Sequence, residues 1–334
     1  MTLAYPTDVR DPKEQDVARY SMMGRVVASD FRFHDLTPAP WGKPAALSLL
    51  SADEPFPPEG RLVRELTVGH DRDVAIRLYD GPNGIHYRAS GVLDAWVEPS
   101  GRIARYKVTP GARSADVAHI LSGPITGLAI QLQGDFVLHA AAADIGGFVV
   151  AMVADHGYGK STMAAFFLRE GYPLLSDDML PVWQRGSEFV TAPSVPRIKL
   201  WSDSLAAMGL VEEDHEFVVS WLDKRRVPVE PASRPAQDRL PLRAIYFLDP
   251  RGDPAAPTIV TPLSAKDGVF AILAGTYMAD SLCGTRAAGA LDCAARIANG
   301  LPLRRISYYR SFENLPAIRD AILQDAEGIA SSGQ

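Results

Sequence analysis

The hydrophobic and polar positions divide the chain into a first third that favours strands and a remainder in which strands and helices alternate. Short runs of alternating apolar and polar residues, separated by turn signals, fill much of residues 1–125. Such alternation is typical of strands with one buried face, because successive side chains point to opposite faces of a sheet. The clearest runs are residues 25–28, 74–79, 85–88 and 102–108, with an Asp-Gly-Pro-Asn-Gly turn at 80–84. We therefore predict a β-rich N-terminal domain over residues 1–125.

From residue 120 onward the apolar spacing changes to that of helices and buried strands. Helices are predicted at 120–133, 162–169, 264–280, 287–299 and 314–325, and strands at 136–141, 147–153, 174–176 and 244–248. Residues 224–241 are rich in proline and charge and predict a long mobile loop, and residues 331–334 are expected to be frayed. This alternation predicts an α/β domain over residues 126–330.

A phosphate-binding loop is predicted between the strand at 147–153 and the helix at 162–169. Residues 154–162 read Ala-Asp-His-Gly-Tyr-Gly-Lys-Ser-Thr, which fits the pattern G-x-x-x-x-G-K-S/T except for Ala154 in place of the first glycine. In that pattern, backbone N–H groups at a helix N-terminus surround the phosphates, the lysine reaches the β- and γ-phosphates, and the hydroxyl holds Mg²⁺. The predicted nucleotide-binding residues are Gly157, Tyr158, Gly159, Lys160, Ser161 and Thr162. The alternative is a Gly/Lys turn without a ligand.

Two adjacent carboxylates are the candidates for the chemistry. Asp177 and Asp178 follow the apolar strand at 174–176, at the strand end where ligands bind in open α/β sheets. Because neighbouring residues of an extended segment point to opposite sides, one carboxylate can face Mg²⁺ while the other faces a phosphate acceptor. The competing interpretation is a solvated acidic turn.

His139 and Arg197 complete the set of candidate catalytic residues. His139 lies on the strand before the loop strand, where it could orient a carboxylate or contact substrate; a hydrogen-bonded core histidine would have the same pattern. Arg197 and Lys199 share one face of an extended segment, and Arg197 is the better-shaped cation for a transferring phosphoryl group. The basic residues 224–226 are a second cluster, for which a solvated loop is the competing interpretation.

Composition limits the class of protein. The chain has 334 residues, 47% of them hydrophobic, and a formal charge of −6, which argues against a nucleic-acid-binding protein. Two cysteines favour neither a disulfide framework nor a cysteine zinc site. Residues 1–8 lack the basic and apolar regions of a signal peptide, and no apolar stretch is long enough for a membrane helix. We expect a soluble, cytoplasmic protein with no membrane partner.

The residues from His139 to Val182 resemble the catalytic core of HPr kinase/phosphorylase and its relatives. That family has a histidine at a strand end, a G-D-S-G-x-G-K-S loop, a helix ending in R-G-H/Y and an A/S-D-D motif. The corresponding elements here are His139, residues 154–161, Arg-Glu-Gly-Tyr at 169–172 and Ser-Asp-Asp at 176–178. The resemblance is strong over about 45 residues and continues more weakly to the C-terminus.

The resemblance implies a P-loop kinase fold related to ATP-type phosphoenolpyruvate carboxykinase, with ATP and Mg²⁺ as cofactors and a serine hydroxyl as acceptor. By position, Asp177 is implied as the acid/base, and Asp178 with Ser161 lies near the metal, although the two Asp roles could be exchanged. Shorter relatives phosphorylate a serine of ribosomally made precursor peptides, and the bifunctional enzymes are homo-oligomers. The alternatives are a small-molecule hydroxyl kinase and a non-catalytic ATP-binding regulator.

Overall fold

The computed structural model describes residues 17–40, 42–54, 56, 60–69, 74–230, 233–234 and 238–332. This range excludes residues 1–8, for which we predicted no signal peptide, and residues 333–334 of the predicted frayed end. Within it, the protein is a mixed α/β structure with three sheets. No helix of the described residues is long and apolar enough to cross a membrane.

The predicted strands of the first third are confirmed and form one nine-stranded sheet. In chain order the strands are β1 (Ala18–Met22), β2 (Arg25–Ser29), β3 (Thr37–Pro38), β4 (Leu47–Ser51), β5 (Arg61–Val68), β6 (Val74–Gly81), β7 (Gly84–Ala89), β8 (Leu93–Val97) and β9 (Ile103–Val108). Their spatial order is β3-β1-β2-β4-β9-β8-β7-β6-β5, antiparallel except for the β2–β4 and β4–β9 pairs. At the predicted turn, Gly84 has φ +128° and a Cβ there would lie 2.1 Å from the Val97 carbonyl oxygen, so the turn requires glycine.

A continuous helical segment connects this sheet to the rest of the chain. It consists of α1 (Ser114–Ile120), a π-helical turn at Leu121–Ile125, and α2 (Thr126–Leu132). The π turn contains Pro124, which has no N–H to donate to an α-helical ladder. The helix begins earlier than predicted and passes through the predicted domain boundary at residue 125. Its apolar side chains Val117, Ile120 and Leu128 pack into the core of the nine-stranded sheet.

The second, eight-stranded sheet contains the predicted α/β alternation. Its strands are β10 (Phe136–Asp144), β11 (Val149–Val153), β12 (Leu174–Ser176), β13 (Met179–Arg185), β14 (Glu188–Thr191), β18 (Leu240–Arg251), β19 (Ile259–Pro262) and β20 (Leu303–Tyr309). The strands β11, β18 and β20 are parallel neighbours, so their C-terminal ends meet at one edge. β10 lies antiparallel beside β11, as predicted for the strand that carries His139.

The helices of this region agree with the predicted set and differ mainly at their ends. They are α3 (Lys160–Arg169), α5 (Ala265–Ala274), α6 (Gly284–Gly300) and α7 (Leu315–Ser332), with short 3-10 helices at Glu212–Asp214 and Ala279–Ser281. α5 ends six residues before the predicted limit of 280, and α7 extends through Ser332, where a frayed end was expected. The helices α3 and α7 pack against one face of β11, and the side chains of Phe166, Phe167 and Ile322 are buried there.

A small three-stranded sheet corrects the prediction of a long loop at 224–241. It is formed by β15 (Arg197–Trp201), β16 (Phe217–Val219) and β17 (Leu222–Pro228), in the order β15-β17-β16, and α4 (Ser202–Ala207) follows β15. Residues 224–228 therefore lie in a strand, and residue 240 already begins β18. Two of the charges that suggested a loop are paired with residues outside the small sheet: Arg225 binds Glu212 of the 3-10 helix at 2.7 Å, and Arg226 contacts Asp35, between β2 and β3, at 3.4 Å.

Candidate active site

The glycine-rich loop connects the end of β11 to the start of α3. β11 is buried along its whole length and α3 begins at Lys160. Gly157 and Gly159 have φ of +81° and +91°, a left-handed conformation that favours glycine. Because Gly159, the N-cap residue of α3, has no side chain, the first N–H groups of the helix remain available to an anion.

Ala154 does not strain this loop. Among the described residues, only Met23 and Met278 are non-glycine residues with positive φ, so Ala154 has a conformation that any residue can adopt. Its carbonyl oxygen accepts a hydrogen bond from Lys160 Nζ at 2.8 Å. Lys160 is only 7% exposed. Burial lowers the pKa of its ammonium, while Asp178 and Asp177 oppose that shift.

Asp177 and Asp178 occupy the turn between β12 and β13, and both line the cleft beside the loop. Asp177 is 5% exposed. Its Oδ2 accepts the backbone N–H of Lys199 at 2.8 Å, whereas its Oδ1 is buried and has no hydrogen-bond partner among the described residues. Burial raises the pKa of this carboxyl, and the Lys199 ammonium and the Ser161 hydroxyl oppose the shift.

Asp178 has the opposite electrostatic environment. Its Oδ2 accepts a hydrogen bond from Lys199 Nζ at 2.5 Å, and its Oδ1 lies 2.8 Å from His139 Nδ1. Burial alone would raise the pKa of this carboxyl, but Lys199 and His139 hold it well below the usual value. One of the two neighbouring carboxyls therefore has a raised pKa and the other a lowered pKa. Opposite shifts of this kind are typical of carboxylate pairs whose members have different roles.

His139 lies in the cleft rather than in the core, with 38% of its side chain exposed. Its ring packs at a tilt against Tyr277, with 6.1 Å between ring centres, and the backbone N–H of His139 donates to the Gly275 carbonyl. Of the interpretations that the sequence left open, this placement favours a residue that orients a carboxylate.

Arg197 is not brought to the loop. Its guanidinium is buried and binds Asp35 at 2.6 Å and the Ser122 hydroxyl at 2.7 Å, behind the acidic pair. The cleft itself is lined by Lys199 and Lys224, the basic residues that the small sheet contributes. Since no substrate is bound, a role for Arg197 at the transferring group stays a prediction, and Lys199 is the cation in contact with the acidic pair.

The cleft has a volume of about 360 Å³ and two distinct walls around the loop and the acidic pair. The end of β20 and the segment after it form one wall, which contains Tyr308, Arg310 and Phe312. The Tyr308 hydroxyl donates to the Tyr158 carbonyl at 2.9 Å and so fixes the middle of the loop. α1 and the small sheet form the other wall, which is lined by His119, Trp201, Val218, Leu222 and Lys224.

Sequence reasoning missed His119, Tyr308, Arg310 and Phe312. The last three follow from β20, whose parallel end lies at the same edge as the loop; a strand prediction at 303–309 would have indicated them. His119 comes from a helix that precedes the candidate core, and no local signal marks it. Burial, together with Lys199 and Arg197, holds the pKa of its imidazole well below the usual value.

No cluster of three or more His, Cys, Asp or Glu side chains in the described parts of the chain is arranged to hold a metal ion. Mg²⁺ bound with a polyphosphate needs only one or two protein ligands, so this does not conflict with the predicted use of Ser161 and Asp178. The buried Asp177 Oδ1 is an oxygen suited to a metal ion or to an acceptor hydroxyl, and the Ser161 hydroxyl interacts with the same carboxyl. Asp178 can add a ligand only through oxygens that already bind His139 and Lys199.

No protein-family model matches the chain. A stretch of 105 residues, 31% of this chain, is 30% identical to HPr kinase/phosphorylase from Lactobacillus delbrueckii subsp. bulgaricus. The chain matches about a third, 33%, of the length of that relative. The predicted resemblance to HPr-kinase-like proteins is confirmed by this similarity.

A solved structure, that of the HPr(Ser) kinase/phosphatase from Coxiella burnetii, is also similar. It is 15% identical, with a TM-score of 0.29, over 56% of this chain and 97% of that chain. At this TM-score the superposition does not establish a shared fold.

Proposed function

We propose that the protein is an ATP-dependent kinase that transfers the γ-phosphoryl group of ATP to a serine hydroxyl of a peptide or protein. One observation carries the proposal: the buried Asp177 carboxylate shares a cleft with Lys160 and Ser161 of the glycine-rich loop, and one of its oxygens has no hydrogen-bond partner in the described parts of the chain. The similarity to HPr kinase/phosphorylase supports a kinase. We further propose a P-loop kinase core of the type found in ATP-type phosphoenolpyruvate carboxykinase.

The loop and the start of α3 would hold the nucleotide phosphates. The N–H groups from Gly157 to Thr162 and the positive end of the α3 dipole favour an anion. The buried Lys160 ammonium adds a fixed positive charge. Ser161, with Asp178, would hold Mg²⁺, which when bound neutralises charge on the phosphates. Because the loop is pinned by Tyr308, these donors are placed before the nucleotide binds.

Asp177 would act as the base toward the acceptor. A serine hydroxyl that donates to Asp177 Oδ1 has its oxygen lone pairs free to attack the γ-phosphorus. The new O–P bond forms as the bond between the γ-phosphorus and the bridging oxygen breaks; the proton passes to Asp177 and ADP leaves. Lys199 and His139 keep Asp178 ionised and fixed in position beside this reaction.

The same geometry is relevant to two alternative functions. A small-molecule hydroxyl kinase would use the same loop and base, so only the acceptor distinguishes it. The departure at Ala154 is the sequence feature that would favour a non-catalytic ATP-binding regulator, and the ordinary backbone conformation of Ala154 supports a loop that still binds phosphate. We also propose a cytoplasmic location, which follows from the composition, and assembly as a homo-oligomer, which follows from the resemblance.

The test is transfer from labelled ATP to serine peptides and, in parallel, to hydroxylated metabolites. We expect Asp177→Asn to reduce kcat by about a hundredfold or more, because the base is lost while the shape is kept. ATP affinity should change little. Asp223→Asn, at an exposed position of β17, is the charge-matched control. A wild-type rate for Asp177→Asn on every phosphorylated acceptor would remove the base assignment, and tight ATP binding without product on any acceptor would favour the regulator.

A further inference from the structure

Lys224 is a cation of the cleft that the proposed phosphotransfer does not use. Its side chain is half-buried and lies over the Trp201 ring, with 5.0 Å between Nζ and the ring centre. In the described parts of the chain it has no carboxylate within ion-pairing distance, whereas Lys199 and His139 both contact Asp178. Burial and then the Lys199 charge lower the pKa of the Lys224 ammonium. Keeping such a cation without an anion costs free energy, which a bound anion would recover.

The strand register places Lys224 on the side of the acidic pair. Trp201 and Lys224 are paired across β15 and β17, so their side chains share a face of the small sheet. Lys199 is two residues before Trp201 on β15 and therefore lies on that same face. It is the Lys199 backbone N–H and ammonium that contact Asp177 and Asp178. An acceptor hydroxyl that reaches Asp177 therefore passes beside the face that carries Lys224.

The wall formed by the end of β20 and the segment after it offers a place for the rest of the nucleotide. Tyr308 joins that wall to the loop through the Tyr158 carbonyl, and Arg310 and Phe312 extend it. Lys224 belongs instead with Val218, Leu222 and His119, on the wall that α1 and the small sheet supply.

We propose that Lys224 and the Trp201 ring form an acceptor subsite for a carboxylate that lies next to the hydroxyl to be phosphorylated. The subsite deepens the proposed kinase function and rests on it for the identity of the acceptor. Two sources share this chemistry: an acidic residue beside the serine of a peptide, and a free hydroxy acid. In both, the ammonium binds the carboxylate while the apolar wall packs against the acceptor's carbon atoms.

The experiment compares matched acceptors with and without the anion. The peptide probes are two pools of seven-residue peptides with a central serine, flanked by glutamate in one pool and by glutamine in the other. The small-molecule probes are N-acetylserine, which has a free carboxylate, and N-acetylserine amide, which has none. We expect wild-type protein with Mg²⁺ and ATP to prefer the anionic member of one pair by about ten- to a hundredfold in kcat/KM, the range of a charged hydrogen bond. Which pair shows the preference identifies the source.

Variants separate this role from nucleotide binding. Lys224→Met keeps the aliphatic packing on Trp201 and should abolish the preference by raising KM for the anionic acceptor, with KM for ATP unchanged. Lys224→Arg should retain the preference. Lys266→Met, at an exposed position on α5, is the charge-matched control and should behave as wild type. A rise in KM for ATP equal to that for the acceptor would assign Lys224 to the nucleotide and overturn the subsite.

A binding measurement distinguishes failure of the subsite from failure of the kinase proposal. The same probes are titrated calorimetrically into protein that is saturated with a non-hydrolysable ATP analogue. If the anionic probe binds more tightly to wild type than to Lys224→Met but no acceptor is phosphorylated, the subsite stands and the kinase function fails. If wild type binds or phosphorylates anionic and neutral probes equally, the subsite is overturned whatever the activity.

Discussion

Half-buried His119 connects the candidate site to the stability of the fold. It lines the cleft from α1, and its Nδ1 is buried without a hydrogen-bond partner among the described residues. Around it lie the charged groups Lys199, Arg197, Asp178 and Lys224, three of them cations. Burial and these cations disfavour the imidazolium, so the folded protein keeps His119 neutral at pH values where the unfolded chain binds a proton.

The sign of the resulting pH dependence follows directly. Because the folded pKa is lowered, the stability linked to His119 is complete above the unfolded value of about 6.5 and is lost as pH falls from there toward the folded pKa. Between pH 6.5 and 5.5 we expect wild type to lose up to about 1 kcal/mol more than His119→Gln, because the unfolded imidazole is already half-protonated at pH 6.5. Urea unfolding at both pH values measures the difference. Equal losses in the two proteins would show that His119 does not carry it.

The two residues of the acidic pair differ because their surroundings differ. Adjacent Asp177 and Asp178 have pKa values shifted in opposite directions because their partners differ: a backbone N–H for one, and the Lys199 ammonium with His139 for the other. The sequence indicated that the pair was functional but left the two roles interchangeable. Only the positions of Lys199 and His139, which arrive from separate strands, distinguish them.

The glycine-rich loop is held in position by a contact with a residue outside the loop. The Tyr308 ring is buried in the core, and its hydroxyl donates to the Tyr158 carbonyl. That bond couples the end of β20 to the start of α3. The N–H groups of the loop are therefore held in position by a strand that lies more than a hundred residues later in the chain.

Tyr308→Phe should loosen the loop without disturbing the core. We expect a stability loss of about 1 kcal/mol, the size of one hydrogen bond, and a several-fold rise in KM for ATP. Hydrogen exchange at residues 157–160 should quicken. Tyr246→Phe is the matched control, because the Tyr246 hydroxyl donates to Asp325 at 2.8 Å, away from the cleft. The interpretation would be wrong if both variants changed ATP affinity equally.

Elements that repeat a local pattern could be predicted, and those held by distant partners could not. The wholly apolar β11 is buried throughout, and the alternating β9 buries Ala104 and Tyr106 on one face. β17 was mistaken for a loop because its charges are neutralised by Glu212 and Asp35, partners that no local window contains. Arg197 was preferred to Lys199 on one face of β15 because of its shape, but its guanidinium binds Asp35, 162 residues earlier, a partner that no local pattern indicates.

At the scale of the whole molecule, Asp35 joins the N-terminal region to the candidate site. It lies between β2 and β3 and accepts from Arg197 at 2.6 Å, with Arg226 at 3.4 Å. Asp116 on α1 adds a second connection, since it accepts the Ser220 backbone N–H at 2.8 Å and hydroxyl at 2.6 Å. The small sheet that carries Lys199 and Lys224 is thus positioned by the part of the chain that contains no candidate catalytic residue.

Asp35→Asn should destabilise the protein and impair turnover together. Removing the carboxylate leaves the buried Arg197 guanidinium without its counter-charge, at a cost of about 2–3 kcal/mol. β15 should then hold Lys199 less firmly, so kcat should fall while the loop still binds ATP. Glu216→Gln is the matched control, because Glu216 pairs with Arg226 from an exposed position and should cost under about 1 kcal/mol. Unchanged kcat in Asp35→Asn would separate the two regions functionally.

The alternation of β15 makes the candidate site depend on how this strand is paired. Arg197, Lys199 and Trp201 occupy every second position, so a one-residue shift in the pairing of β15 with β17 would exchange the two faces of the strand. Ile198 and Leu200, which are buried, would then take the positions of the cations, and Lys199 would lose its contact with Asp178. The register between β15 and β17 is therefore as important to the acidic pair as the identity of Lys199.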